Sequence, residues 1–233
     1  MYNHLYTAAA SSTYEYDVTL SGFTKETPAK ITAIQLIDPQ AESMSFYIRD
    51  RIKTVWQGIY SREFLLSKQI HFDEYLFLHE DELFLFDLFS NYPQVTAVSN
   101  CYYHYMQHNE SGMHRFQENR LDAANAFASC ARNHLAKMPS CPTPIKKELI
   151  RRISSSYFGV LLNEYGSGSP YPPRERRERL SELAEQKEFK EAVLAALAEK
   201  QLDFKRRLAW EAARLHCYPL LDFLCKAAVR RLS

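Results

Sequence analysis

The 233-residue chain carries 29 Lys and Arg against 28 Asp and Glu, which gives a formal net charge of +1. This balance excludes a function that depends on global positive charge, so nucleic acid is not a predicted partner. With 46% hydrophobic and 24% charged residues, the chain can bury a core and is neither disordered nor fibrous. Its six glycines form neither a G-x-G-x-x-G turn nor a G-K-[ST] loop, which excludes a glycine-rich nucleotide cradle.

The first half of the chain predicts alternating helices and strands. Residues 81–89 (DELFLFDLF) predict a buried helix with acidic side chains in its first turn, where the helix dipole favours them. Pro93 ends this helix, and the β-forming residues of 94–105 predict a strand. Shorter patterns predict a helix at 1–11, strands at 16–22 and 31–37, and a helix at 45–53.

Beyond Gly112 the periodicity becomes helical. A loop rich in glycine and proline at 166–173 separates the second predicted helix from the third, and Pro219 is expected to break or kink the last one. The predicted fold class is therefore α/β, followed by an all-helical C-terminal region. The predicted helices are 113–137, 143–164, 174–199 and 203–231.

The cysteine content indicates a reducing compartment. An odd number of cysteines without a C-x-x-C pair favours free thiols over a disulfide framework or a structural zinc site. The first twelve residues lack the features of a signal peptide, and no long uncharged apolar run occurs. We therefore predict a cytoplasmic protein that is soluble or membrane-peripheral. The cysteines are Cys101, Cys130, Cys141, Cys217 and Cys225.

Three motifs follow one another in the first half of the chain. They read VWQGIYSREFL at 55–65, HFDEYLFLHEDELF at 71–84 and CYYHYMQHNES at 101–111. Their order resembles the C-terminal half of the catalytic domain of family 2 glycosyltransferases with the GT-A fold. Such enzymes typically read V-W-N-K-L-Y-x-R, then R-F-x-x-G, then [GH]-E-D-x-x-F, and finally P-L-Y-x-Y-R.

The resemblance implies both an architecture and an activity. It covers about residues 1–113, for which it implies a partial GT-A-like mixed sheet with helices, and it leaves 114–233 as the helical region. The implied activity is transfer of a sugar from a nucleotide-sugar donor to a hydroxyl of a saccharide or lipid-linked acceptor, with inversion. The implied setting is bacterial cell-surface polysaccharide synthesis.

By this resemblance Asp81, with Glu80 beside it, is the catalytic residue. A general base must be a carboxylate at the mouth of a cleft that is ionised near neutral pH and within reach of the attacking hydroxyl. Repulsion among Glu80, Asp81 and Glu82 is expected to raise at least one pKa, which suits a base. The structural alternative is that these carboxylates only stabilise a helix N-terminus.

Four further residues are candidates for substrate binding. Trp56 corresponds to the family's acceptor-side Trp, although a Trp is more often part of a core. Gln57 stands where the family has Asn. Because Met106 replaces the usual Arg, His104 or His108 could lie near the donor phosphates, although a lone His on a strand is more often structural.

The metal site of the family is not found in this sequence. None of its aspartates forms the Asp-x-Asp pair that clamps Mn or Mg on the donor diphosphate, so no metal ligand and no cofactor are predicted within the chain. The chain resembles a family domain from just after that pair onward, as a truncation or a remnant would. We therefore expect it to be inactive alone.

Two features of the sequence suggest binding partners, namely the basic last 30 residues and the exposed edge of the predicted sheet. Residues 204–233 carry seven Lys or Arg against Glu211 and Asp222, a charge of +5 that could hold them on an anionic membrane. The alternative is a packed terminal hairpin with a solvated basic face. A competing function for the whole chain is a non-catalytic interaction module whose exposed sheet edge binds a partner or forms a homodimer.

Overall fold

The computed structural model describes residues 18–27, 30–34, 47–48, 54–106, 116–166, 168–200 and 202–229. The predicted helix at 1–11 and most of the one at 45–53 lie outside these residues. The chain divides into two compact units, Met1–Asn109 with Cys130–Lys146 and Glu110–Ser129 with Lys147–Ser233.

A four-stranded mixed sheet lies in the first unit. Its strands are β1 (Val18–Thr27), β2 (Lys30–Ile34), β3 (Gly58–Tyr60) and β4 (Val95–Met106). Strand β1 lies in the centre. On one side, the first part of β1 pairs antiparallel with β3 and the last part pairs antiparallel with β2. On the other side, β4 pairs parallel along nearly the whole of β1. The β1–β4 register shifts on both sides of Gly22, as expected of a bulge at glycine. The three predicted strands are thus confirmed where residues are described, with β1 longer than predicted.

Two helices connect β3 to β4. The short helix α1 (Arg62–Ser67) begins where Ser61 Oγ accepts a hydrogen bond from the backbone N–H of Phe64. The next helix, α2 (Glu80–Ser90), confirms the prediction at 81–89, and its residues from Leu83 to Phe89 are all buried. Because α2 is buried on every side from Leu83 to Phe89, it forms the centre of this unit's core, with Asp87 as the one charged residue in that stretch.

The rest of the described chain is helical, as predicted. Two of the predicted boundaries are wrong. Residues 174–199 form two helices, because Gln186 is extended (φ −68°, ψ 135°) between them. Gln and its neighbours are good helix formers, so periodicity cannot show such a break. The helices are α3 (Arg120–Lys137), α4 (Thr143–Asn163), α5 (Pro173–Glu185), α6 (Lys187–Leu197), α7 (Phe204–Arg214) and α8 (Tyr218–Val229).

The helix predicted at 113–137 begins later, at Arg120. The reason is a tertiary contact: the amide of Asn163 makes two hydrogen bonds with the backbone of Gln117, both at 2.9 Å. These bonds hold the chain outside a helix before Arg120.

The terminal helices form a hairpin. A break separates α7 from α8, and Pro219 lies in the first turn of α8, which confirms the predicted break. Trp210 and Leu221 are buried, whereas Phe204, Leu215 and Phe223 are largely exposed. Some of the apolar side chains that would contact a membrane are therefore buried inside the protein and are not accessible to lipid. Among the residues that the structure describes, no helix combines the length and the apolar character that a membrane crossing needs.

Candidate active site

The candidate site forms where the turn before β3 meets the start of α2. Residues Val55–Gln57 make one turn of 3₁₀ helix, and the backbone N–H of Val55 donates a hydrogen bond of 3.2 Å to Oδ2 of Asp81. The Tyr60 hydroxyl donates to the Val55 carbonyl at 2.8 Å. Both polar groups of the Val55 backbone are therefore held, one by Asp81 and the other by Tyr60.

The environment of Asp81 favours its protonated form. Partial burial raises the pKa of Asp81 above its ordinary value, the hydrogen bond from Val55 lowers it, and the charges of Glu80 and Glu82 raise it further. The net shift in the pKa of Asp81 is upward; burial is its largest cause, and the repulsion among the three carboxylates that the sequence predicts adds to it. Oδ1 of Asp81 accepts no hydrogen bond from any residue that the structure describes. The backbone thus orients one carboxylate oxygen of Asp81.

Trp56 and Gln57 follow Val55 in the same turn but have different surroundings. The Trp56 ring stacks on the Tyr103 ring of β4, with centroids 4.1 Å apart and planes at 22°. Trp56 is half-buried, so the stack on Tyr103 does not cover the whole side chain. Gln57 is only 6% exposed, and its Oε1 accepts a hydrogen bond from Thr54 Oγ1 at 2.9 Å. This burial favours a structural role for Gln57 over substrate contact.

The residue before Glu80 has an unusual backbone. His79 lies in the left-handed region, with φ 70° and ψ 11°, and precedes the first turn of α2. His is one of the few residues other than glycine that are enriched in the left-handed region, and glycine adopts this conformation freely. This preference gives a physical reason for Gly or His at the first position of the [GH]-E-D pattern. Its Nδ1 lies 3.2 Å from Glu82 Oε1. Strain beside Asp81 is typical of functional sites, where surrounding structure maintains it.

The other predicted residues are placed only in part. Glu80 begins α2 beside Asp81. His104 lies in β4 opposite Thr24 of β1. His108 lies outside the described residues, so the predicted role of either histidine near phosphate stays a prediction. Sequence reasoning did not single out Tyr60, although it belongs to the quoted VWQGIY motif, because its role depends on a backbone contact.

A second titratable cluster in this unit was also missed. His134 Nδ1 lies 2.8 Å from Asp87 Oδ1, and its Nε2 lies 3.7 Å from Asp73 Oδ2. The hydrogen bond to Asp87 raises the pKa of His134, burial lowers it, and the charges of Asp87 and Asp73 leave the net shift upward. No sequence signal links these residues, which are far apart along the chain.

Metal-binding potential was assessed over the part of the chain that the structure describes. No group of three or more His, Cys, Asp or Glu side chains there could hold an ion. The three adjacent carboxylates at the start of α2 thus do not form such a group. Cys130, Cys141, Cys217 and Cys225 are free thiols, in agreement with the prediction.

The fold has counterparts among solved structures, although the sequence has none among family models or curated proteins. No protein-family model matches the chain, and no curated protein sequence matches it. The mixed sheet with its helical second half is similar to the crystal structure of S. aureus TarS 1–349, with a TM-score of 0.54 and 15% identity over 99% of this chain and 63% of that one.

The complex of S. aureus TarS 1–349 with UDP-GlcNAc is similar too. Its TM-score is 0.52 and its identity 16%, over 93% of this chain and 60% of that chain. The present chain thus spans less than two thirds of the length of either structure. Similarity at this level of identity establishes a related fold, and it extends over both halves of the chain.

Proposed function

We propose that this chain acts in the transfer of a sugar from a nucleotide-sugar donor to an acceptor hydroxyl, with Asp81 as the general base. The observation that carries the proposal is the placement of Asp81. One of its oxygens is oriented by the Val55 N–H, its pKa is raised, and it adjoins the turn that presents Trp56. The binding of UDP-GlcNAc by TarS 1–349, whose fold is related, supports a nucleotide-sugar donor.

The chemistry follows from this geometry. Oδ1 of Asp81 would take the proton of the acceptor hydroxyl as its oxygen attacks the anomeric carbon of the donor. The bond between that carbon and the phosphate oxygen breaks, and the nucleoside diphosphate leaves with the electron pair. Attack opposite the leaving group inverts the anomeric configuration. A base that is partly desolvated and anchored at one oxygen needs little reorganisation for this step.

Further details belong to the same proposal. In this proposal the sheet belongs to a GT-A-like domain, Glu80 lies beside the base, Trp56 faces the acceptor, and the acceptor belongs to cell-surface polysaccharide synthesis. The 233 residues include no Asp-x-Asp pair to hold a metal ion on the donor diphosphate, so we expect no turnover by the chain alone.

Calorimetric titration with UDP-GlcNAc, with and without Mn²⁺, tests donor recognition, and an assay of UDP release tests turnover. We expect binding without release. Release that falls by about 10²–10⁴ in Asp81→Asn but not in Glu63→Gln would support the base and contradict inactivity alone. No binding at millimolar UDP-GlcNAc would overturn a transferase function for this chain and would favour the non-catalytic interaction module.

A further inference from the structure

The candidate site contains a tyrosine that the proposed chemistry does not use. Tyr60 is the last residue of β3, and its hydroxyl donates a hydrogen bond of 2.8 Å to the carbonyl of Val55. Burial raises the pKa of Tyr60, and the negative charge of Asp81 raises it further. The hydroxyl therefore keeps its proton near neutral pH and remains a hydrogen-bond donor.

The backbone of Val55 is held at both of its polar groups. Its carbonyl accepts hydrogen bonds from the backbone N–H of Gly58 and from the Tyr60 hydroxyl, and its N–H donates to Oδ2 of Asp81 at 3.2 Å. A residue has only two soft backbone dihedral angles. Bonds at the carbonyl therefore restrict the rotations that would turn the N–H of Val55 away from Asp81.

Helix α2 holds the Tyr60 ring as well as the carboxylate. Asp81 and Phe84 are three residues apart in α2, so their side chains lie on the same face of the helix. The Tyr60 ring meets the Phe84 ring edge-on, with centroids 5.7 Å apart, and Phe72 stacks on Phe84 at 4.6 Å. The contacts that run from Asp81 through Val55 to Tyr60 thus return to α2 one turn after Asp81.

The position of a general base matters as much as its pKa. A base must lie within hydrogen-bond reach of the proton that it takes, and a misplacement of about 1 Å can cost about 10²-fold in rate. Burial raises the pKa of Asp81, and the hydrogen bond from Val55 lowers it. The same hydrogen bond orients the carboxylate. A group that fixes Val55 therefore acts on both the position and the ionisation of Asp81.

We propose that Tyr60 is a positioning residue for Asp81: its hydroxyl fixes the Val55 backbone so that the Val55 N–H holds the carboxylate in place. This inference rests on the proposed function for the role of Asp81 as a base, but the coupling of Tyr60 to Asp81 requires only the folded chain. It also gives a physical reason for tyrosine, and not phenylalanine, at the end of the VWQGIY motif.

The first test is the pKa of Asp81, measured in the full chain by ¹³C NMR titration of its carboxyl carbon and assigned with Asp81→Asn. Tyr60→Phe keeps the aromatic ring and removes the hydroxyl. It leaves the Val55 carbonyl bonded to Gly58, so we expect the variant to fold. Because the Val55 N–H is then held less firmly, we expect the pKa of Asp81 to rise above that in the unmodified chain.

The matched control is Tyr157→Phe. It removes a hydroxyl that donates to Oδ1 of Asn125 at 2.7 Å, in the other compact unit. Both substitutions delete one tyrosine hydroxyl that makes a hydrogen bond, and only Tyr60 is connected to Val55. We therefore expect Tyr157→Phe to leave the pKa of Asp81 unchanged.

A second test is hydrogen exchange at the Val55 amide. An amide exchanges when its hydrogen bond opens, so a less constrained turn exchanges faster. We expect exchange at Val55 to accelerate about tenfold in Tyr60→Phe and less than about twofold in Tyr157→Phe. In Asp81→Ala, where the Val55 N–H has already lost its acceptor, the additional effect of Tyr60→Phe should be less than about twofold, as expected of residues that act through one contact.

Several outcomes would overturn the proposal: an unchanged or lower pKa of Asp81 in Tyr60→Phe, an equal rise in Tyr157→Phe, or unaltered exchange at Val55. Equal acceleration by Tyr60→Phe with and without the Asp81 carboxylate would overturn it too. The donor titration is independent. A raised pKa in Tyr60→Phe without binding of UDP-GlcNAc would retain the coupling and reject the transferase, and the reverse result would do the opposite.

Discussion

Each compact unit holds a carboxylate whose pKa is shifted, Asp222 in the helical unit and Asp81 in the unit with the sheet, and the two shifts have opposite signs. In the helical unit Asp222 is 5% exposed and is bound by the Tyr165 hydroxyl and by Arg177, whose two nitrogens lie 3.0 and 2.8 Å away. Burial raises the pKa of Asp222, but these hydrogen bonds outweigh it, and the net shift is downward. Asp81, with one backbone N–H and two neighbouring carboxylates, shifts upward. A paired carboxylate stabilises its fold, whereas an underpaired one is available for chemistry.

Removing Asp222 is expected to have the largest effect on stability. Asp222→Ala leaves the Tyr165 hydroxyl and the Arg177 guanidinium without their shared acceptor, at a cost of about 2–3 kcal/mol in the free energy of unfolding. Urea denaturation measures the loss. Glu178→Ala, which breaks the exposed pair with Arg174, is the control and should cost less than about 0.5 kcal/mol. Equal losses would contradict the contrast between the two carboxylates.

The next effect depends on pH and concerns His134. Because the folded state raises its pKa, His134 contributes stability that is fully present below about pH 6.5 and is lost as pH rises through the folded pKa. His134→Gln should therefore lower the free energy of unfolding by about 1.5 kcal/mol near pH 5.5 and by less near pH 8.5. Asn133→Gln, at an exposed and uncharged position of the same helix, is the control and should show no such trend. A pH-independent difference would show that protonation of His134 is irrelevant.

The left-handed backbone at His79 predicts a smaller loss. His79→Val places a β-branched side chain at φ 70° and should destabilise the protein by about 1 kcal/mol. His79→Gly relieves the strain while it removes the contact with Glu82, so it should be close to neutral. Thermal unfolding of the two variants compares them directly. If valine is tolerated as well as glycine, the conformation before α2 is not constrained.

The smallest change in the free energy of unfolding is expected for a substitution of Asp81. Unlike the preceding variants, this one should become more stable than the unmodified chain as pH rises. A carboxylate whose folded pKa is raised contributes stability below about pH 4 and loses that contribution as pH rises through the folded pKa. Asp81→Asn keeps an acceptor for the Val55 N–H and removes the charge, so its stability relative to the unmodified chain should increase across this range. Denaturation at several pH values tests this. A variant that is destabilised at neutral pH would make Asp81 a structural residue.

The candidate site was predictable in its residue types but not in its contacts. The quoted motifs bring Trp56 and Asp81 into one site, and the acidic first turn of α2 follows from the helix dipole. That Gln57 is buried, and that Tyr60 and Asp81 hold opposite sides of Val55, depends on how the turn packs against α2. Side chains that bind a backbone carry no periodic or compositional signal.

Sequence alone determined three of the four described strands of the mixed sheet, the buried helix α2 and the helical second half, because period, apolar content and breakers act locally along the chain. Tertiary structure decided the rest. The late start of α3 depends on Asn163, and the pairing of His134 with Asp87 joins residues 47 positions apart. Whether Asp222 or Asp81 has the raised pKa depends on which partners the fold brings to each carboxylate, since identical side chains differ only in their surroundings.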